Sequence, residues 1–190
     1  MIKEKLLLQM LEKNQSIQFI LAHAQELNMP DWYLGAGCIS QTIWNIKSGF
    51  DPENGIKDYD LVYYDATDTS YEAEDKYIQK GKVLFKEIPV LVEIVNEARV
   101  YLWYEKHFGK SIEQYKSVEE AISTWPTTAT CVGIKKDTAG KIQVYSPFDF
   151  DDLFNMVVRP NKPLITKKIY EDKVKGWVKV WPKLKVIPWD

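Results

Sequence analysis

Lys57-Asp58-Tyr59-Asp60-Leu61-Val62-Tyr63-Tyr64-Asp65 reads as a strand that carries chemistry. Tyr, Leu and Val favour a pleated, half-buried strand, in which residues two apart point to the same face. Asp58 and Asp60 therefore project together, roughly 6 to 7 Å apart at the backbone for a rise of about 3.3 Å per residue. Like charges that close repel, and one carboxylate tends to take up a proton unless a cation stands between them. An all-oxygen pair suits Mg²⁺ or Mn²⁺ better than zinc. The plainer alternative puts Asp58 at the strand start as a cap and Asp60 on a solvated face, so the neighbouring segments decide.

Upstream, the apolar run Trp32-Tyr33-Leu34 leads into the turn Gly35-Ala36-Gly37-Cys38. From Cys38 to Gly49 the residues Ile39, Ile43, Trp44 and Ile46 recur at helical spacing. The order is strand, glycine turn, helix. Glycines let backbone approach a ligand closely, and the free amides of a helix N-terminus form a phosphate site. A loop with Pro52 and Gly55 separates this turn from the Asp-x-Asp strand, and its Asp51 and Glu53 read as solvated.

Downstream, a polar stretch from Ala66 to Ser70 precedes a helix over about 71–87, with Tyr71, Tyr77, Ile78, Leu84 and Phe85 as its core face and Gly81 weakening its middle. Pro89 then opens Val90-Leu91-Val92-Glu93-Ile94-Val95, whose β-branched and apolar content predicts a buried strand. Glu93 is its one charge, and a buried carboxylate must be paired or metal-bound. A salt bridge to Arg99 or a nearby lysine and a metal site beside Asp58 and Asp60 both satisfy it. From Asn96 the pattern turns helical, and Arg99 is placed to orient Glu93 or to make a forked contact with phosphates.

These segments resemble the polymerase-β-type nucleotidyltransferase superfamily. The run from Trp32 to about Pro163 is similar to a bacterial family of nucleotidyltransferase-like proteins. The resemblance rests on Gly35-Ala36-Gly37 with Gln41-Thr42-Ile43-Trp44-Asn45, Lys57-Asp58-Tyr59-Asp60, and Val92-Glu93-Ile94-Val95-Asn96-Glu97-Ala98-Arg99. Trp103-Tyr104, Trp125-Pro126-Thr127-Thr128-Ala129, Ser146-Pro147-Phe148 and Asp152-Leu153-Phe154 to Arg159-Pro160 follow in order. It implies an α+β fold, a polymerase-β-like core whose mixed sheet is flanked by helices. It also implies that Asp58, Asp60 and Glu93 are catalytic and hold Mg²⁺ or Mn²⁺, and that the turn Gly35, Ala36, Gly37 and Cys38 receives an NTP triphosphate. Superfamily turns often carry Ser straight after a glycine. Ala36 and Cys38 stand here instead, with Ser40 the nearest hydroxyl, and Ser40 and Arg99 join the expected nucleotide contacts.

The implied activity is metal-dependent transfer of a nucleoside monophosphate from an NTP to an acceptor hydroxyl. The acceptor is left open among small molecule, protein and nucleic acid. A catalytically inactive nucleotide-binding or regulatory module of the same fold is the alternative. Asp-x-Asp also binds metal in many glycosyltransferases, whose domains are usually longer.

The remaining features set bounds. A chain of 190 residues with 45% hydrophobic and 13% aromatic content folds around a core rather than staying disordered. Its net charge of -2 gives no global attraction to nucleic acid. Cys38 and Cys131 do not make a disulfide framework, and no apolar run is long enough to span a membrane. The N-terminus opens an amphipathic helix, so a cytoplasmic protein without a membrane partner is expected. Two N-terminal helices are expected over 4–13 and 16–27, and a hairpin joins Cys131-Val132-Gly133-Ile134 to Lys141-Ile142-Gln143-Val144-Tyr145. The last thirty residues carry eight lysines, with Trp177, Trp181 and Trp189 interleaved. That pattern fits an amphipathic closing helix with buried tryptophans and solvated lysines better than a single-stranded nucleic-acid footprint. The expected division is a nucleotidyltransferase-like domain over 1–163 with a basic, Trp-rich segment over 164–190 packed on it.

Overall fold

A computed structural model describes residues 2–190. Two helices open the chain, α1 (Ile2–Leu11) and α2 (Gln15–His23), the second continuing as a 3₁₀ turn over Ala24–Leu27. Asn14 caps α2 by accepting from the Ile17 amide at 2.8 Å. Its Nδ2 donates to Thr42 Oγ1 at 2.8 Å, and it accepts from Tyr59 Oη at 3.3 Å. One buried amide thus joins the helical hairpin to the two elements that frame the site.

Next come β1 (Tyr33–Gly35), α3 (Gly37–Ser48), β2 (Asp58–Tyr63), α4 (Tyr71–Leu84) and β3 (Leu91–Asn96). A 3₁₀ turn over Glu97–Arg99, α5 (Tyr101–Phe108), α6 (Val118–Ser123), β4 (Gly133–Lys136), β5 (Ile142–Tyr145) and α7 (Asp151–Phe154) follow. The chain ends with β6 (Val157–Val158), α8 (Lys167–Val180) and β7 (Lys185–Val186). The main sheet has the order β3-β2-β1-β4-β5; β2 and β3 are parallel and the other neighbours antiparallel. The fold is α+β with a mixed, helix-flanked sheet. Among the described residues no helix is long and apolar enough to cross a membrane.

Period-two alternation on β2 separates core from site. Tyr59, Leu61 and Tyr63 are buried against α1, α2 and α3, leaving Asp58, Asp60 and Val62 on the opposite face. Helix α3 is buried without interruption from Cys38 to Asn45, because the sheet covers one side and the C-terminal segment the other. There Trp44 meets Trp177 and Trp181 edge-on at 5.5 and 5.6 Å, and Trp181 Nε1 donates to Asn45 Oδ1 at 2.6 Å.

Two sequence expectations are corrected. The strand around Glu93 is not buried: β3 forms the sheet edge, Leu91 is 58% exposed and Glu93 is exposed. A β-branched run reads as interior whenever one face is covered, and here α4 covers only the face of Ile94. On α4 itself Tyr71 is exposed, and Gly81 serves packing: a Cβ there would lie 2.3 Å from Ile94 Cδ1.

Candidate active site

The parallel register sets Asp60 opposite Glu93 and Asp58 opposite Leu91. Register partners in a sheet share a face, so Asp58, Asp60 and Glu93 emerge side by side. That face continues through Val62, Val95 and Glu97, and all six residues line one cavity of about 600 Å³. Strand β1 pairs antiparallel with β2 and puts Gly35 opposite Asp60. The turn that follows therefore opens at the level of the carboxylates, where Ala36, Gly37 and Gln41 also line the cavity.

Local backbone explains the turn. Ala36 adopts φ 59°, ψ -133°, a conformation that suits glycine, and its amide is fixed by Val132 O at 3.1 Å. No side chain caps α3, which leaves its first amides free at the cavity edge. Gly35 is needed for close packing, because a Cβ there would lie 2.6 Å from Val132 O and 2.8 Å from the Trp125 ring.

Not every residue assigned from sequence meets in this place. Cys38 and Ser40 are fully buried; the Cys38 thiol turns to Gly35 O and the Ser40 hydroxyl to Gly37 O, so neither side chain faces the cavity. Arg99 is absent from its lining. The 3₁₀ turn after β3 carries it across the sheet end, where it pairs with Glu74 at 2.5 Å and donates to Thr69 O at 3.2 Å. Arg99 therefore does not orient Glu93.

Two residues that sequence reasoning missed do face the cavity. Lys173 of α8 projects toward the carboxylates, and its charge opposes the upward shifts of both Asp60 and Glu93. Glu97 lies past Val95, 6% exposed, beside Trp125. Strand periodicity from Glu93 through Val95 signals Glu97, whereas the placement of Lys173 depends on how α8 packs.

Electrostatics mark the centre. Burial, then Asp58, then Glu93 push Asp60 up to about 7. Burial and Asp58 raise Glu93, and burial with the charge of Asp60 pushes Glu97 up to about 8. Among the described residues, none of the Asp58, Asp60 and Glu93 carboxylates forms an ion pair. As they stand, no three acidic, His or Cys side chains among the described residues are gathered tightly enough to hold an ion. The donor set nevertheless fits a hard divalent cation: three adjacent carboxylates of one face, unpartnered, with mutual repulsion that an added cation relieves.

The fold is that of a nucleotidyltransferase. Residues 22–186 match the family model described as Nucleotidyltransferase, and the chain belongs to that family. A solved structure is similar over nearly the whole chain, with a TM-score of 0.77 and 25% identity over 96% of this chain and 94% of that one. It is an NMR structure described as revealing a CCA-adding enzyme head domain. No curated protein matches the chain.

Proposed function

We propose that the protein transfers a nucleoside monophosphate from an NTP to an acceptor hydroxyl in a metal-dependent reaction. The observation that carries this reading is the meeting of Asp58, Asp60 and Glu93 on one face, with Gly35 opposite Asp60 and the Ala36-Gly37 turn after it lining the same cavity. Asp58, Asp60 and Glu93 would hold Mg²⁺ or Mn²⁺. Bound there, the cation would offset the charge that gathers on the transferred phosphoryl oxygens.

The chain's own groups supply the rest. The α3 amides after Ala36 cradle the β- and γ-phosphates at a helix N-terminus, and Lys57 and Lys173 add positive charge from the cavity wall. The acceptor oxygen forms a bond to the α-phosphorus while the bond from that phosphorus to the bridging oxygen breaks. Pyrophosphate leaves toward the α3 amides, and the acceptor proton passes to Glu93, a carboxylate whose raised affinity for protons suits a base.

Calorimetric titration of the four NTPs, with and without Mg²⁺, on wild type and Asp58→Asn tests this. Metal-dependent binding that the variant loses is the expected result. No binding to either protein overturns it. The turn lacks a hydroxyl facing the cavity, which favours a second reading, a nucleotide-binding module without turnover. Tight NTP binding with no pyrophosphate released across varied acceptors selects that reading.

A further inference from the structure

Past the carboxylates the cavity continues into a chamber of different chemistry, lined by Glu97, Trp103, Tyr104, Tyr115 and Trp125. The two tyrosine hydroxyls are already engaged, Tyr104 Oη with Leu164 O at 3.3 Å and Tyr115 Oη with Thr124 Oγ1 at 2.9 Å. What the chamber offers a ligand is therefore aromatic surface and one carboxyl group.

Among the described residues that carboxyl has no cation of its own. Arg99, two residues on, is held by Glu74. The lysines of the cavity wall are Lys57 and Lys173, at the other end. Lys57 precedes Asp58, whose register partner Leu91 lies about 20 Å of strand before Glu97. Lys173 favours the charged forms of Asp60 and Glu93, and at Glu97 the indole of Trp125 is the group favouring the anion.

A buried acid with no counter-charge, walled by π-faces, complements an ammonium group. The carboxylate supplies the opposite charge and the rings attract a cation through their quadrupoles. An ammonium group takes the place of the proton that burial holds on Glu97, which leaves to water as the carboxyl ionises, whereas a neutral hydroxyl brings no charge to replace that proton and phosphate is repelled once the carboxyl is charged. We propose that this chamber binds an ammonium group carried by the acceptor, so that the substrate class is an amino alcohol. The inference rests on the reading of Asp58, Asp60 and Glu93 as the transfer centre. The four-residue step from Glu93, across the end of β3 to Glu97 in the 3₁₀ turn, sets the reacting hydroxyl and the ammonium on the order of 10 Å apart.

The test uses 8-amino-1-octanol, which has about that reach, against its neutral analogue 1,8-octanediol, with adenosine as a probe for nucleobase stacking. Binding to the full chain is followed by calorimetry and by tryptophan fluorescence. The expected result is saturable binding of the amino alcohol, about tenfold or more tighter than the diol, with the difference lost in Glu97→Gln and reduced in Trp103→Leu. Equal binding of amino alcohol and diol, or tighter binding of adenosine than of either, overturns the inference. NTP titrations on the same preparations separate the two readings. NTP binding without amino alcohol binding rejects the ammonium chamber and leaves the transfer centre. Amino alcohol binding without NTP binding supports the cation site and removes its acceptor role.

Discussion

Asp60 on β2 and Glu93 on β3 are register partners in the parallel pair, and each raises the cost of charging that face beside Asp58. Replacing one member therefore does different things depending on its role. Asp60→Ala is expected to lower metal-dependent NTP binding or transfer by on the order of 100-fold while the protein stays folded. Glu93→Gln is expected to cost turnover more than NTP affinity, because a base acts on the acceptor proton and not on the bound phosphates. Steady-state kinetics beside calorimetry check both. Undiminished activity in Asp60→Ala sinks the metal assignment, and equal losses in turnover and affinity for Glu93→Gln remove its role as base.

The same face predicts a pH dependence for the metal-free protein. The unfolded chain releases the Asp60 proton near 3.8, whereas the fold holds it to about 7; for Glu97 the corresponding values are 4.5 and about 8. Between those limits the folded state binds more protons than the unfolded one, so stability falls as pH rises through the window and levels off above it. Urea midpoints in chelator are expected to decline from near pH 5 to near pH 8, and to decline less in Asp60→Asn. Added Mg²⁺ is expected to restore more stability near pH 8 than near pH 5, since protons and cation compete for one site. A midpoint that rises over this range in chelator contradicts the electrostatic account.

How much of this was legible from residues follows the range of the forces involved. Alternation within Asp58-Tyr59-Asp60-Leu61-Val62-Tyr63 is a local signal, and the observed faces match it because one covered face enforces period two. The glycine turn and helix after it were likewise local. Glu93 was found for a partly mistaken reason: its strand looked buried and is a sheet edge. Arg99 was misread because six residues in sequence seemed close, while the 3₁₀ turn sends its side chain to Glu74. Gly81 read as a helix weakness, since the Ile94 side chain that requires it comes from another element. Lys173 looked like one more solvated lysine; only the packing of Trp177 and Trp181 on Trp44 determines which lysine of α8 overlooks the carboxylates.

That packing is itself testable. Trp181 is fully buried and donates to Asn45 Oδ1, while Asn45 Nδ2 donates to Pro52 O and Asn54 O. Trp181→Phe removes the donor and strands a buried acceptor, at an expected cost of about 1–3 kcal/mol. Trp181→Ala adds a cavity and is expected to cost about 3–5 kcal/mol. Equilibrium urea unfolding measures both, and a loss below about 0.5 kcal/mol for the alanine variant would contradict the burial of this anchor.

Ala36 holds a positive φ that glycine adopts freely. Strain of this kind costs about 1–3 kcal/mol, against about 0.4–1 kcal/mol lost when glycine loosens the unfolded chain. Ala36→Gly is therefore expected to stabilise the protein by about 1 kcal/mol, and Ala36→Val to destabilise it, because a β-branched side chain tolerates that backbone least. Thermal and urea unfolding should rank the three as glycine, alanine, valine. The reverse order would place the turn in a different conformation.

Lys173 gives the sharpest separation between a packed surface lysine and a working one. It is exposed, so removing it costs little stability, yet it lines the cavity and favours the charged forms of Asp60 and Glu93. Lys173→Ala is expected to weaken NTP binding by about threefold to tenfold, with a smaller dependence on salt than wild type, because one screened attraction has been removed. In the metal-free protein the same change is expected to shift the pH-dependent loss of stability upward, since Asp60 then keeps its proton to higher pH. Neighbouring Lys175 is exposed and does not line the cavity, so Lys175→Ala is the control that should move neither readout. Parallel effects from both lysines would mean that α8 contributes only a diffuse positive field, and that no particular side chain of the helix meets the phosphates.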